Sequence, residues 1–145
     1  MQQPIVFVVT LMLILSFNGA ANAGSCETDV LSDTVTFELE DDTLMTLGRP
    51  DWPTSSLVGS LPQCAHGDIV AAQELPGQIM IIIESIDEDE ALGYLEKVKL
   101  AFSEEPVELR EATFVYYSAQ NSSGLFLTFS HQEARLSIGV SEGAR

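Results

Sequence analysis

Hydrophobic and polar positions alternate, run together or recur at helical spacing in separate stretches of this chain. The longest uninterrupted apolar stretch of the interior is Ile79-Met80-Ile81-Ile82-Ile83. It is short, rich in β-branched residues and free of polar alternation, so it predicts a strand buried on both faces. Strict alternation marks Thr34 to Glu40, where Val35, Phe37 and Leu39 share one face, and predicts a half-buried strand. Asp41-Asp42-Thr43 has turn chemistry, and Leu44 to Leu47 returns as a short second strand. Three more strands are predicted as a meander: Thr113 to Ser118, Leu125 to Ser130, and Ala134 to Val140, where Leu136, Ile138 and Val140 alternate with Arg135, Ser137 and Gly139. The connectors, 119–124 and 130–133, are short and polar, as hairpin loops are.

One stretch has the helical period instead. Ala91, Leu95, Val98 and Phe102 fall on one face with Leu92 at its edge, while Glu96, Lys97 and Lys99 look outward. Asp87 to Glu90 place carboxylates at the positive end of that helix, each contributing about 0.3–1 kcal/mol. Ser85 with Glu88 fits a capping box. Gly93 weakens the helix by about 1 kcal/mol relative to alanine, and Pro106 is expected to stop any element continuing past Glu104-Glu105.

Two stretches read less simply. Asp68 to Leu75 fits either a two-turn helix capped by Asp68 or a strand turning at Pro76-Gly77 into the central run. The strand is preferred, because a hairpin would give that run a neighbour. Residues 48–62 hold Pro50, Pro53, Pro62 and Gly59, and predict a long loop. Loops of that length are often functional, and Trp52 within it is either a binding anchor or, the preferred reading, a cap folded back on the core. Together these elements predict an α+β fold: a mostly antiparallel sheet of about four to six strands with one main helix, about 89–102, packed on one face. A single domain spans 34–141.

The N-terminal pattern changes the compartment. The apolar run Ile5 to Phe17 is too short to span a bilayer, and Ala21 and Ala23 form a small-residue cleavage site. Residues 1–23 therefore read as a signal peptide, although Met1 to Pro4 hold no Lys or Arg, and residues 24–33 read as a polar tether. The chain is expected to be exported, periplasmic or secreted, with no stable membrane span after cleavage. In that setting Cys26 and Cys64, the two cysteines, predict one disulfide, contributing about 2–4 kcal/mol. A lipoprotein anchored at Cys26 ranks behind, since Ala23-Gly24-Ser25-Cys26 lacks the usual Leu or Val at its first position.

Charge narrows the partners. The chain carries 22 acidic residues against 6 Lys and Arg, a net charge of −16, and none of these charges lies in residues 1–23. Such a surplus has no basic patch to release phosphate counterions and excludes nucleic acid as an expected partner. It suits a basic protein, a cation, or solubility through self-repulsion.

Candidate chemistry is sparse. The acid run Asp87 to Glu90 lacks the spacing of a calcium loop, and helix capping accounts for it. His66 and His131 belong to no H-x-x-x-H or C-x-x-C arrangement and are expected in loops. There is no G-x-S-x-G elbow, phosphate-cradling loop or dinucleotide fingerprint. No catalytic residue, metal site or cofactor is expected. Asn121-Ser122-Ser123 is a glycosylation sequon on an expected exposed loop. Tyr116, Tyr117, Phe126 and Phe129 form either an aromatic binding face or the floor under a second layer made by residues 34–75. Trp52, Tyr116, Tyr117 and Phe126 are thus the candidate binding residues. Two functional readings follow. The first is an exported, small, acidic, non-catalytic binding protein, of the inhibitor or immunity type, facing a basic protein. The alternative is a small-molecule-binding or hydrolytic domain using the 48–62 loop.

Overall fold

The structure, a computed structural model, describes residues 34–143. Residues 1–23, expected as a signal peptide, residues 24–33, expected as a tether, and Cys26 lie outside the described residues. Eight strands are formed: β1 (Thr34–Leu39), β2 (Thr43–Gly48), β3 (Asp68–Leu75), β4 (Gln78–Glu84), β5 (Glu104–Glu111), β6 (Phe114–Gln120), β7 (Leu125–Gln132) and β8 (Arg135–Glu142). One α-helix, α1 (Glu88–Ala101), separates β4 from β5. All eight strands belong to one sheet in the order β1-β2-β3-β4-β8-β7-β6-β5, and each neighbouring pair is antiparallel. Two four-stranded meanders thus meet where β4 pairs with β8. The helix carries the chain from that central strand to the far edge. Its 14 residues span about 21 Å, against about 19 Å for the four strand spacings from β4 to β5.

Register decides which side chains share a face. Ile79, Ile81 and Ile83 of β4 stand opposite Val140, Ile138 and Leu136 of β8. These in turn face Leu127, Phe129 and His131 of β7, and then Ala119, Tyr117 and Val115 of β6. All twelve are buried, and the eleven apart from His131 form one core cluster with Ala91, Tyr94, Leu95 and Val98 of α1, Phe102 after it, and Leu57, Val58 and Leu61 of the 49–67 loop. Each fully buried aliphatic or aromatic side chain contributes about 1.5–3 kcal/mol, so this face dominates the stability of the fold. Helix and loop share the cover of this face, which we call the covered face.

The expectation of about four to six strands with one main helix packed on one face is therefore corrected. The described residues form a single eight-stranded antiparallel sheet with one α-helix, 53% strand and 18% helix. Two misreadings explain the difference. Strand β5 was missed because every one of its residues is exposed, so no hydrophobic alternation records it. Its Pro106 sits where the β5–β6 register shifts, between Glu104 and Val107, on an edge strand where a missing backbone donor is tolerated. Residues 34–75, expected as a second layer, instead supply β1, β2 and β3, which extend the same sheet sideways. Asp68–Leu75 is the strand β3, not a helix.

Smaller corrections concern single residues. The cap of α1 is Asp87, not Ser85: Asp87 Oδ1 accepts from Glu90 N at 2.9 Å and Glu90 Oε2 accepts from Asp87 N at 3.2 Å. This is a reciprocal capping box, displaced by two residues because Ser85 takes a left-handed φ of 57°. His131 is no loop residue. It is buried on β7, with Nε2 2.9 Å from the carbonyl oxygen of Ile86. Asn121 is only 7% exposed. Its Oδ1 accepts from Ser123 N and Leu125 N at 3.0 and 2.9 Å, and its Nδ2 donates to Ser60 Oγ at 3.4 Å. The sequon asparagine thus holds the β6–β7 turn rather than standing free on a loop.

Candidate functional site

The expected site residues are divided between the two faces of the sheet. Trp52 is partly buried and packs against the core cluster. Around it the loop is held at several points. Ser55 Oγ accepts from Leu57 N at 3.3 Å, Tyr94 donates its hydroxyl to the Pro62 carbonyl at 2.8 Å, and Asn121 reaches Ser60. With Leu57, Val58 and Leu61 buried in the core, the loop's apolar side chains serve to cover the sheet.

Tyr116 and Tyr117 are adjacent in sequence and so point to opposite faces of β6. Tyr117 is on the covered face, 3% exposed, with its hydroxyl donating to the Phe102 carbonyl at 2.7 Å. Lys99 Nζ sits 5.5 Å from the centre of its ring. Tyr116 and Phe126 are half-buried on the second face. There Tyr116 stands opposite Ser130 and Phe126 opposite Gln120, with the Ser118–Thr128 pair between them. The expected aromatic set is therefore divided: two members inside the core and two on the other side of the sheet.

A second gathering of chemistry lies where the loop meets the start of α1. A groove of about 180 Å³ is lined there by His66, Asp89, Glu90, Tyr94 and Lys97 among others. His66 Nδ1 lies 3.1 Å from Glu90 Oε1, both side chains partly solvated. Cys64, a free thiol in the structure, donates to the His66 carbonyl at 3.4 Å. Burial pushes this thiol's pKa up most strongly, a backbone hydrogen bond at His66 opposes it, and the weaker charges of Glu90 and Lys97 push up and down respectively. Burial likewise raises the Tyr94 hydroxyl. A thiol held protonated is a poor nucleophile and a poor metal ligand, and no group of three His, Cys, Asp or Glu among the described residues is placed to hold a metal ion. The arrangement is suited to structure, and it leaves Cys64 as the half of the expected Cys26–Cys64 pair that the described residues contain.

Sequence reasoning did not find the feature that stands out in three dimensions. At the β1 end of the sheet, Val35, Phe37 and Leu39 lie on the second face and are 54%, 45% and 45% exposed. Directly after them come Glu40, Asp41 and Asp42, which form a tight 3-10 turn in which Asp41 and Asp42 adopt positive φ. Among the described residues the ion pairs lie elsewhere. Lys99 bridges Glu96 and Glu108 at 3.0 and 2.9 Å, Arg110 pairs with Glu108, and Arg135 with Glu84. Glu38, Glu40, Asp41 and Asp42 receive none of these cations, so their charge is uncompensated beside an exposed apolar strip. The alternation of Val35, Phe37 and Leu39 did signal this strip, but alternation alone reports a shared face and not whether anything covers it.

No helix among the described residues is long and apolar enough to cross a membrane. Comparison with known proteins adds no relative: no family model matches this sequence, and no curated protein matches it.

Proposed function

We propose that this chain is an exported, non-catalytic binding protein, of the inhibitor or immunity type, whose acidic surface meets a basic protein. The observation that carries the reading is the uncompensated acidic turn, Glu40 to Asp42 with Glu38, set beside the exposed side chains of Val35, Phe37 and Leu39. An apolar strip rimmed by one sign of charge suits protein recognition, with burial contributing affinity and charge contributing steering and selectivity. The net charge of −16 supports a cationic partner and opposes nucleic acid. Export is supported by the apolar run and small-residue cleavage site of residues 1–23. The alternative, a ligand-binding or hydrolytic domain using the 48–62 loop, has less support, because Leu57, Val58 and Leu61 of that loop are buried in the core.

The test is affinity capture from an extract of the host envelope, with the mature chain from residue 24 onward as bait, at low and at high salt. The expected result is a basic protein retained at low salt and released at high salt. Purified, it should bind the bait with an affinity that falls steeply as ionic strength rises. Capture of acidic or neutral proteins only, or binding indifferent to salt, would overturn the reading.

A further inference from the structure

We infer that β1 is a docking edge at which an extended segment of the basic partner, apolar residues alternating with lysine or arginine, adds to the sheet as a further strand. This rests on the binding reading above and specifies where and how the partner is held. Among the described residues the sheet has two edges, β1 and β5, and they are built differently. Edge strands present unpaired backbone groups, which proteins blunt with proline, charge and irregularity. Strand β5 has all three: Pro106, a register shift between Glu104 and Val107, a left-handed φ of 50° at Glu105, and glutamates along its length. Strand β1 has no proline and no irregularity. Its register with β2 runs unbroken from Thr34 opposite Gly48 to Leu39 opposite Thr43. Over residues 35–39 it thus offers the regular backbone template that strand addition requires.

Side chains on β1 specify the chemistry of the added segment. Val35, Phe37 and Leu39 present an apolar row on the second face, while Thr36 and Glu38 occupy the other, with Thr36 Oγ1 3.2 Å from Thr46 Oγ1. A neighbouring strand places alternate residues on those same two faces. Its apolar members would lie beside Val35, Phe37 and Leu39, and its cationic members beside Glu38 and the Glu40–Asp42 turn. A second copy of this chain fits poorly, since each molecule carries a net charge of −16 and brings the same uncompensated acids to the contact.

The test uses fluorescein-labelled short peptides of one composition, lysine and valine, either in strict alternation or in two blocks. Each is titrated against the mature chain at low salt by fluorescence polarisation, with hydrogen exchange read at the β1 amides. The alternating peptide is expected to bind more tightly than the block isomer and to protect the β1 amides. Phe37→Lys should weaken it roughly tenfold or more, by setting a charge in the apolar row that the valines would cover. Leu109→Lys makes the same charge change on β5 and should leave binding within about twofold. Both positions are exposed, and thermal melting confirms that both variants fold. Equal binding of the two isomers, unaffected by Phe37→Lys, would overturn docking at β1 and leave attraction to a basic partner standing. Failure of both peptides to bind at low salt would overturn both proposals. A dimer that protects the β1 amides without peptide would overturn the inference by making a second copy the occupant.

Discussion

The hydroxyl of Tyr94, in the middle of α1, donates to the carbonyl oxygen of Pro62 at 2.8 Å. It is a tie between the two parts of the core's cover, residues 32 positions apart in sequence. Tyr94 is 3% exposed and its ring lies 6.4 Å from that of Phe129, so the same side chain reaches the sheet below and the loop beside it. Tyr94→Phe keeps the ring and removes the bond. We expect a loss of about 1–2 kcal/mol in urea unfolding, because the Pro62 carbonyl is left without its donor, and faster hydrogen exchange confined to the loop. An unchanged loop in the variant would show that the bond does not hold it.

The Lys99–Glu108 contact predicts a pH dependence. The Lys99 bond holds the Glu108 carboxyl below the usual carboxylate range, with smaller help from Arg110, although partial burial opposes it. A depressed carboxyl contributes stability that is present above its unfolded value and is lost as pH falls through the folded one. For Lys99, burial lowers the pKa, but the bonds and charges of Glu108 and Glu96 outweigh it and raise the ammonium overall. Its contribution is present below the ordinary lysine value and is lost as pH rises through the folded one. Both side chains are partly exposed, at 25% and 31%, so the contact is a surface pair worth about 0.2–1 kcal/mol. Lys99→Gln should therefore be less stable than the parent near neutrality, with the difference vanishing as pH falls through the depressed Glu108 value and as it rises through the raised Lys99 value. A difference constant across that range would refute the ionic origin.

Gly139 on β8 stands opposite Thr128 on β7, and a Cβ built on Gly139 would approach Thr128 Oγ1 to 2.6 Å. Gly139→Ala should cost about 1–3 kcal/mol through this overlap. Thr128→Ala removes the offending oxygen, so the double variant should recover most of that loss. The coupling in a double-mutant cycle measures the contact directly. Additive effects would place the strain elsewhere.

Cys64 provides a chemical readout. Its thiol is half-buried and its pKa is raised, first by burial and then by Glu90. In the reduced protein it should react with a thiol-labelling reagent more slowly than a free cysteine at neutral pH, since the thiolate is the reactive form. Unfolding in urea should restore the ordinary rate. The pairing with Cys26 is checked separately, by peptide mapping of the protein isolated from its host without reductant. One cross-linked Cys26–Cys64 peptide is expected, and two unlinked peptides would remove the disulfide from the account.

Much of the secondary structure was legible because burial leaves a local record. Alternation located β1 and β8, apolar and aromatic runs between short polar connectors located β6 and β7, the unbroken Ile79–Ile83 run located β4, and the spacing of Ala91, Leu95, Val98 and Phe102 located α1 to within a residue or two. Where a segment packs against nothing, that record is missing. Strand β5 is exposed throughout, and its glutamates and proline resemble a loop until β6 is seen to pair with it. The cap shifted from Ser85 to Asp87 for a related reason. Both fit the spacing of a capping box, and only the backbone turn at Ser85 chooses between them.

The candidate surface divides the same way. By itself the sequence determined that Tyr116 and Tyr117 face opposite sides, that Val35, Phe37 and Leu39 share one side, and that the chain is strongly acidic. These follow from the strand period and from composition. Only the tertiary structure decided that the helix and loop cover the Tyr117 side, that 34–75 continues the sheet instead of roofing it, and that β1 ends as an edge beside unpaired acids. Those outcomes depend on which strands pair across long separations, β4 with β8 above all, and local periodicity carries no information about a neighbour that is distant in the chain.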